Sequence, residues 1–182
     1  MLKKILIILF IGLLNFNNNA FSNDKILNSL KEGKKLVFIR HAIAPGNGDP
    51  NNFDINDCST QRNLNENGIE ESKKIGLFFK NNKIKIDKVL SSQWCRCKDT
   101  AKYAFKSFET FNALNSFYDE KFAANEAKQI KDLKNYIKKW NGDKNLVLIT
   151  HFVVISSILN TGSSSGEIII SDENFNIIGS ID

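Results

Sequence analysis

Basic residues never gather into a block in this chain, and it shows neither an aromatic stacking motif nor the cysteine and histidine spacing of a zinc finger. The formal net charge is +5, and Lys3 and Lys4 supply part of it. A modest, diffuse positive charge draws small anions but leaves no nucleic-acid footprint, so nucleic acid is not an expected partner. Apart from two matching strands described below, no internal repeat is found, and no linker marks a second domain.

Long apolar runs are also scarce. The run from Ile5 to Leu14 follows Lys3 and Lys4 and precedes Ala20-Phe21-Ser22. It is too short for a stable membrane span and matches a secretory signal cut after Ser22. An uncleaved anchor is the alternative reading. No cysteine stands at the cleavage point, which argues against a lipoprotein. The expected division is a signal peptide over 1–22 and one domain over 23–182, secreted and periplasmic, with no membrane insertion once the signal is removed. That length is enough for a real core.

The sequence holds 3 cysteines, Cys58, Cys95 and Cys97. In an oxidising compartment, one disulfide and one leftover thiol are expected. Cys95 and Cys97 are too close to bridge each other, so Cys58 pairs with one of them. Cys95 is the preferred partner, leaving Cys97 as a small buried residue of the following helix. A zinc site would need a fourth ligand and more regular spacing, so no metal is expected.

Histidine is scarcer still, with 2 in 182 residues. Both end an apolar, β-branched run, Leu36-Val37-Phe38-Ile39-Arg40-His41 and Leu146-Val147-Leu148-Ile149-Thr150-His151. Runs without helical spacing read as strands buried on both faces. In open α/β sheets, ligands sit beyond the carboxyl ends of parallel strands. Two imidazoles delivered there, one beside Arg40, suggest a site for an anionic phosphate.

Along the chain, a short amphipathic helix over 24–31 ends at Gly33. A turn-rich loop from Ala42 through Arg62 is too long to be mere connection and points to a binding site. Asn65 or Asn63 caps a helix to about Asn81, with Ile69, Ile75, Phe78 and Phe79 inward. Residues 86–91 form a second strand, and Ser92 opens a helix with Arg96 in its first turn. A third strand is expected within 108–114 and irregular chain over 115–124. A helix over 126–140, the second histidine strand, a helix over 152–159 and a terminal hairpin over 167–181 complete the reading. Strands alternating with helices predict an α/β fold, a three-layer αβα sandwich with a mostly parallel central sheet and a C-terminal β-hairpin.

Hydrolysing a phosphate ester without a metal requires an uncharged nucleophile and cations around the non-bridging oxygens. An imidazole between arginines supplies both, because nearby positive charge keeps a ring nitrogen unprotonated. Guanidinium forks bind phosphoryl oxygens in pairs. Arg40 and Arg96 are the candidates, and Arg96 gains from the helix N-terminus, where free N–H groups favour an anion.

These motifs resemble the histidine phosphatase superfamily, also called phosphoglycerate mutase-like, in its small secreted bacterial form. Arg40-His41-Ala42 is similar to its Arg-His-Gly signature. Ser91-Ser92-Gln93-Trp94-Cys95-Arg96-Cys97-Lys98-Asp99-Thr100-Ala101 is similar to its Ser-Ser-x-x-x-Arg-x-x-x-Thr-Ala stretch, and Thr150-His151 to its closing motif. Asn47 stands where many members bind phosphate through asparagine, and Gln61-Arg62-Asn63-Leu64 resembles the loop before the second helix. The likeness runs from Leu36 to about Leu159. It implies that His41 is the nucleophile, that Arg40, Arg96 and His151 hold the phosphoryl group, and that Asn47 and Arg62 bind phosphate or substrate. It implies a small phosphorylated substrate and no metal or organic cofactor.

The chain departs from the pattern in three places. Ala42 replaces the usual glycine, and Phe152 follows His151 where one branch carries an acidic residue. In the other branch a glutamate would fall near Asn115 or Ser116, neither of which is an acid. Asp119 and Glu120 are near enough to replace it, Glu120 being taken as the candidate, with Asp49 and Asp57 weaker choices. The function implied is hydrolysis of a phosphomonoester or phosphoramidate through a phosphohistidine. The alternatives are a non-catalytic phosphoryl-ligand-binding envelope protein and, further off, a phosphomutase.

Overall fold

In the computed structural model of the chain, residues 18–182 are described. Most of the expected signal segment therefore lies outside the described residues. Helix α1 (Asn18–Glu32) leads into β1 (Leu36–Arg40), α2 (Glu66–Asn81), β2 (Ile86–Ser91), α3 (Cys95–Phe105) and β3 (Glu109–Thr110). Then come α4 (Glu120–Ala123), α5 (Glu126–Lys139), β4 (Asn145–Thr150), α6 (Phe152–Leu159) and the hairpin β5 (Ile168–Ser171) and β6 (Ile177–Ile181). The strands form one 6-stranded sheet in the order β3-β2-β4-β1-β5-β6. Pairs β2/β3, β2/β4 and β1/β4 are parallel, whereas β1/β5 and β5/β6 are antiparallel.

The apolar runs that predicted doubly buried strands do bury both faces. Leu36, Phe38, Leu146 and Leu148 pack on one side with Leu133 and Ile137 of α5 and Val154 and Ile158 of α6. Val37, Ile39, Val147 and Ile149 pack on the other with Ile26 and Leu30 of α1, Ile75 and Phe79 of α2 and Ala101 of α3. Alternate residues of a strand point to opposite faces, so each run feeds both layers and the sandwich has three layers.

Local signals account for several boundaries. Asn65, one of two expected caps, accepts a hydrogen bond from Gly68 N at 3.0 Å and starts α2. Gly33 has φ +86°, and a Cβ there would lie 2.3 Å from Asp143 O, so glycine is required where α1 stops. Other expectations need correction. Ser92 does not open a helix; α3 begins at Cys95 after a turn. The expected strand over 108–114 shrinks to Glu109–Thr110, because the chain then winds into a 3-10 turn that buries Ala113 and Leu114. A single helical turn, α4, interrupts the stretch expected to be irregular. Helix α1 spans Asn18–Glu32 rather than 24–31.

Register positions the site. β1 and β4 pair with Arg40 beside Thr150, and His41 N donates to Thr150 O at 2.9 Å. The two histidines therefore leave the sheet side by side. Ser92, just past β2, leaves at the same edge, its N–H bound to Ile149 O at 2.9 Å.

Candidate active site

His41 is buried, and its Nδ1 lies 2.8 Å from Ala42 O. A carbonyl only accepts, so the proton sits on Nδ1 and the Nε2 lone pair is left free. Burial, then the charge of Arg96, with smaller contributions from Arg62 and Arg40, lowers its pKa to about 3, although the bond to Ala42 works the other way. His151 is held well below the ordinary imidazole value by burial first, then by Arg96, His41, Arg62 and Arg40. Its Nε2 lies 2.9 Å from Ser92 Oγ and 3.4 Å from Cys97 Sγ. The two rings meet edge-on, with centroids 5.5 Å apart.

Every arginine in the sequence, Arg40, Arg62 and Arg96, lines the same cavity as these rings. Arg40 Nη1 donates to Ser163 O at 2.6 Å, and its guanidinium lies over the Phe152 ring. Arg62 donates from Nε to Gly48 O at 3.0 Å and from Nη1 to Ala44 O. Burial and the charge of Arg96 pull both Arg40 and Arg62 below the usual guanidinium range. The buried Nε atoms of Arg40 and Arg96 have no hydrogen-bond partner among the described residues. Buried donors without acceptors are costly, and they suit an oxyanion that would accept from them.

Asp49 supplies the countercharge. Its Oδ1 accepts from Arg96 Nη1 at 2.8 Å and from Arg62 N at 3.0 Å, and its Oδ2 from Trp94 Nε1 at 3.0 Å. Burial raises the carboxyl pKa, but the bonds from Arg96, Arg62 and Trp94 outweigh it and hold Asp49 below its ordinary value. Considered from sequence as a weak choice of acid, Asp49 is an ion-paired brace for Arg96. The brace spans 47 residues of sequence, which no local pattern reveals.

The cavity encloses about 190 Å³ and brings together Arg40, His41, Asn47, Arg62, Arg96 and His151. Asn47 Nδ2 donates to the Tyr118 hydroxyl at 3.2 Å. Glu120 is not brought in: it is exposed in the first turn of α4 and absent from the lining. One residue earlier, before the chain turns into that helix, Asp119 does line the cavity. Asp57 is exposed and caps the short turn at Cys58–Thr60 through Ser59. Ala42 is fully buried without adopting a positive φ, so the methyl is accommodated. Its N–H donates to Thr100 Oγ1, which in turn donates to Arg96 O at 2.7 Å.

The loop carrying Asn47 and Asp49 is pinned from below. Cys58 is bonded to Cys95 with Cα atoms 5.7 Å apart, and Gln61 Oε1 accepts from Cys95 N at 2.9 Å. Cys97 is a buried free thiol in α3, its pKa pushed up to about 12 by burial.

Because the protein has 2 histidines, both in this cavity, their titration is directly readable. Neither imidazole resonance should move through the ordinary midpoint of about 6.5, and a midpoint there would contradict their burial. Depressed folded-state values mean that the unfolded chain binds more protons below about pH 6.5. Stability should therefore fall with acidification, by up to about 1.4 kcal/mol per pH unit for each histidine, and for His41 continue to about pH 3.

No protein-family model and no curated protein matches this sequence. Solved structures do match the fold. The protein histidine phosphatase SixA complexed with tungstate aligns at TM-score 0.53 and 18% identity, over 79% of this chain and 92% of that one. A phosphoserine phosphatase variant from Entamoeba histolytica, in complex with phosphoserine, aligns at 0.54 and 19%, over 75% and 89%. Phosphoglycerate mutase from Thermus thermophilus aligns at 0.58 and 11%, over 81% and 98%. The fold is thus that of the phosphoglycerate mutase-like α/β sandwich.

Proposed function

We propose that the chain is a histidine phosphatase-type phosphoric monoester hydrolase that works through a phosphohistidine on His41. One observation carries this reading: a neutral imidazole, its free Nε2 fixed by the Nδ1 bond to Ala42 O, shares a small cavity with three guanidinium groups. Those charges are what a transferring phosphoryl group requires.

In the first step the Nε2 lone pair attacks phosphorus and the phosphorus–oxygen bond to the leaving alcohol breaks. Asp119, the cavity carboxylate outside the Arg96–Asp49 pair, gives the alkoxide its proton. Water then attacks the phosphohistidine, Asp119 takes the proton back, and phosphate departs from a neutral His41. Arg40, Arg62 and Arg96 neutralise the equatorial oxygens, with Asn47 and His151 as further donors. A phosphoramidate follows the same course with nitrogen leaving. The N-terminal pattern and the Cys58–Cys95 bond support export of a single domain, 23–182, to the periplasm.

Turnover of an aryl phosphate, with an alkali-stable phosphoenzyme trapped on His41, tests the reading. His41→Ala should abolish both. Asp119→Asn should slow alkyl phosphates by roughly 10²–10⁴-fold and aryl phosphates far less. Tight vanadate binding without turnover would instead establish a phosphoryl-ligand-binding protein.

A further inference from the structure

Beside the phosphoryl cavity lies a second hollow of about 560 Å³, roughly three times the volume of the first. Two chain segments border both. The loop after β1 places Asn47 and Asp49 on the cavity and, a few residues on, Phe53 and Ile55 on the groove. The segment leading through α4 places Tyr118 and Asp119 on the cavity, then Phe122 and Asn125 on the groove. Ser116 lines both. Trp94 links the two: its ring centroid is 5.5 Å from that of His151 and 5.0 Å from that of Phe53, on which it stacks.

We propose that this groove is the leaving-group subsite and that it takes a neutral polyhydroxylated group, so that the substrate is a sugar phosphate. The proposal rests on the phosphatase reading for which bond is cut, but not for what the groove binds.

Three features select the ligand class. The first is unspent amide capacity. Gln93 Oε1 is used by Asn115 Nδ2 at 2.7 Å, and the Gln93 amide hydrogens are free among the described residues. Gln129 Nε2 is used by Asn115 O at 2.8 Å, and the Gln129 amide oxygen is likewise free among the described residues. No hydrogen bond engages the Asn125 side chain among the described residues, and Asn125 is exposed. Free amide donors and acceptors around one hollow match hydroxyls, which both donate and accept. The second is charge. Asp54 and Lys121 are the ionisable groups of the lining and oppose each other in sign, so the groove presents no net positive charge for a second phosphate. The third is the rings. Phe53, Trp94 and Phe122 pack against one another, with centroids 5.0 to 5.6 Å apart. The Lys121 ammonium lies 5.2 Å from the Phe53 centroid and 5.1 Å from that of Phe122. With their faces so occupied and Trp94 itself buried, these rings leave no free platform on which a nucleobase could stack.

The test is calorimetric titration of full-length His41→Ala protein, in which no turnover intervenes. The ligands are inorganic phosphate, glucose 1-phosphate, glucose 6-phosphate, ribose 5-phosphate, adenosine monophosphate and phosphoserine. At least one sugar phosphate should bind about tenfold more tightly than inorganic phosphate, the gain of two or so net hydrogen bonds. Adding Asn125→Ala and Gln129→Ala should bring that ratio toward one, with a folded circular-dichroism spectrum showing that the protein is intact. A ratio near one from the start, a ratio unmoved by the two substitutions, or a greater ratio for adenosine monophosphate or phosphoserine overturns the proposal. Sugar-phosphate selectivity in a wild-type protein that turns nothing over keeps the subsite and rejects the phosphatase. Aryl phosphate turnover without selectivity does the reverse.

Discussion

Asp49→Asn is expected to lower the unfolding free energy by about 3–5 kcal/mol, the usual consequence of removing one partner of a buried ion pair. The side chains of Arg96 and Asp49 are 4% and 2% exposed, so solvent cannot take over as countercharge. The asparagine keeps the shape but leaves the Arg96 guanidinium unbalanced next to Arg40 and Arg62. The loss should appear in chemical denaturation, and inorganic phosphate should reverse more of it in the variant than in the parent, because a bound anion replaces the missing charge. Catalytic efficiency should fall by roughly 100-fold, since Arg96 loses the brace that aims it. A loss under about 1 kcal/mol, with an equal phosphate response in both proteins, would mean that Asp49 does not brace the site.

Reducing the Cys58–Cys95 bond, or substituting Cys58→Ser and Cys95→Ser, is the other change with a large expected effect. The bond closes a segment with a sequence separation of 37, for which chain entropy alone predicts a loss of about 4 kcal/mol and typical measurements about 2–4. The same bond ties the long loop after β1 to the first residue of α3, one residue from Arg96. That loop carries Asn47, Asp49 and Arg62, as well as Phe53 of the groove. Stability and substrate affinity should therefore decline together. Cys58 is exposed, so mild reductant reaches the bond, whereas Cys97 is fully buried and leaves no accessible thiol for exchange. A melting temperature and KM both indifferent to reductant would show that the loop is held by its hydrogen bonds alone.

Much of the architecture is legible in the sequence because its signals are local. The runs at Leu36 and Leu146 lack helical spacing, and burial on both faces follows from that composition. α6 runs from Phe152 to Leu159 as expected, and the turn of the terminal hairpin is flanked by isoleucine-rich strands. Arg96 is expected in a first helical turn and is found there, although the helix opens at Cys95 rather than Ser92. The third strand is shorter than its pattern suggests. Its apolar residues satisfy either a strand or a 3-10 turn, and packing of Ala113 and Leu114 under the sheet selects the turn.

The chain's own residue pattern was enough to specify the sandwich, the two histidines at strand ends and the arginines beside them, because strand periodicity and helix starts are encoded within a few residues. Which carboxylate faces the cavity, which one braces Arg96, and that a second hollow opens beside the first were decided by the parallel register of β1 and β4 and by the closure of one long loop. Those relations depend on how distant segments pack, and the free energy that selects them exists only once both sides are in place.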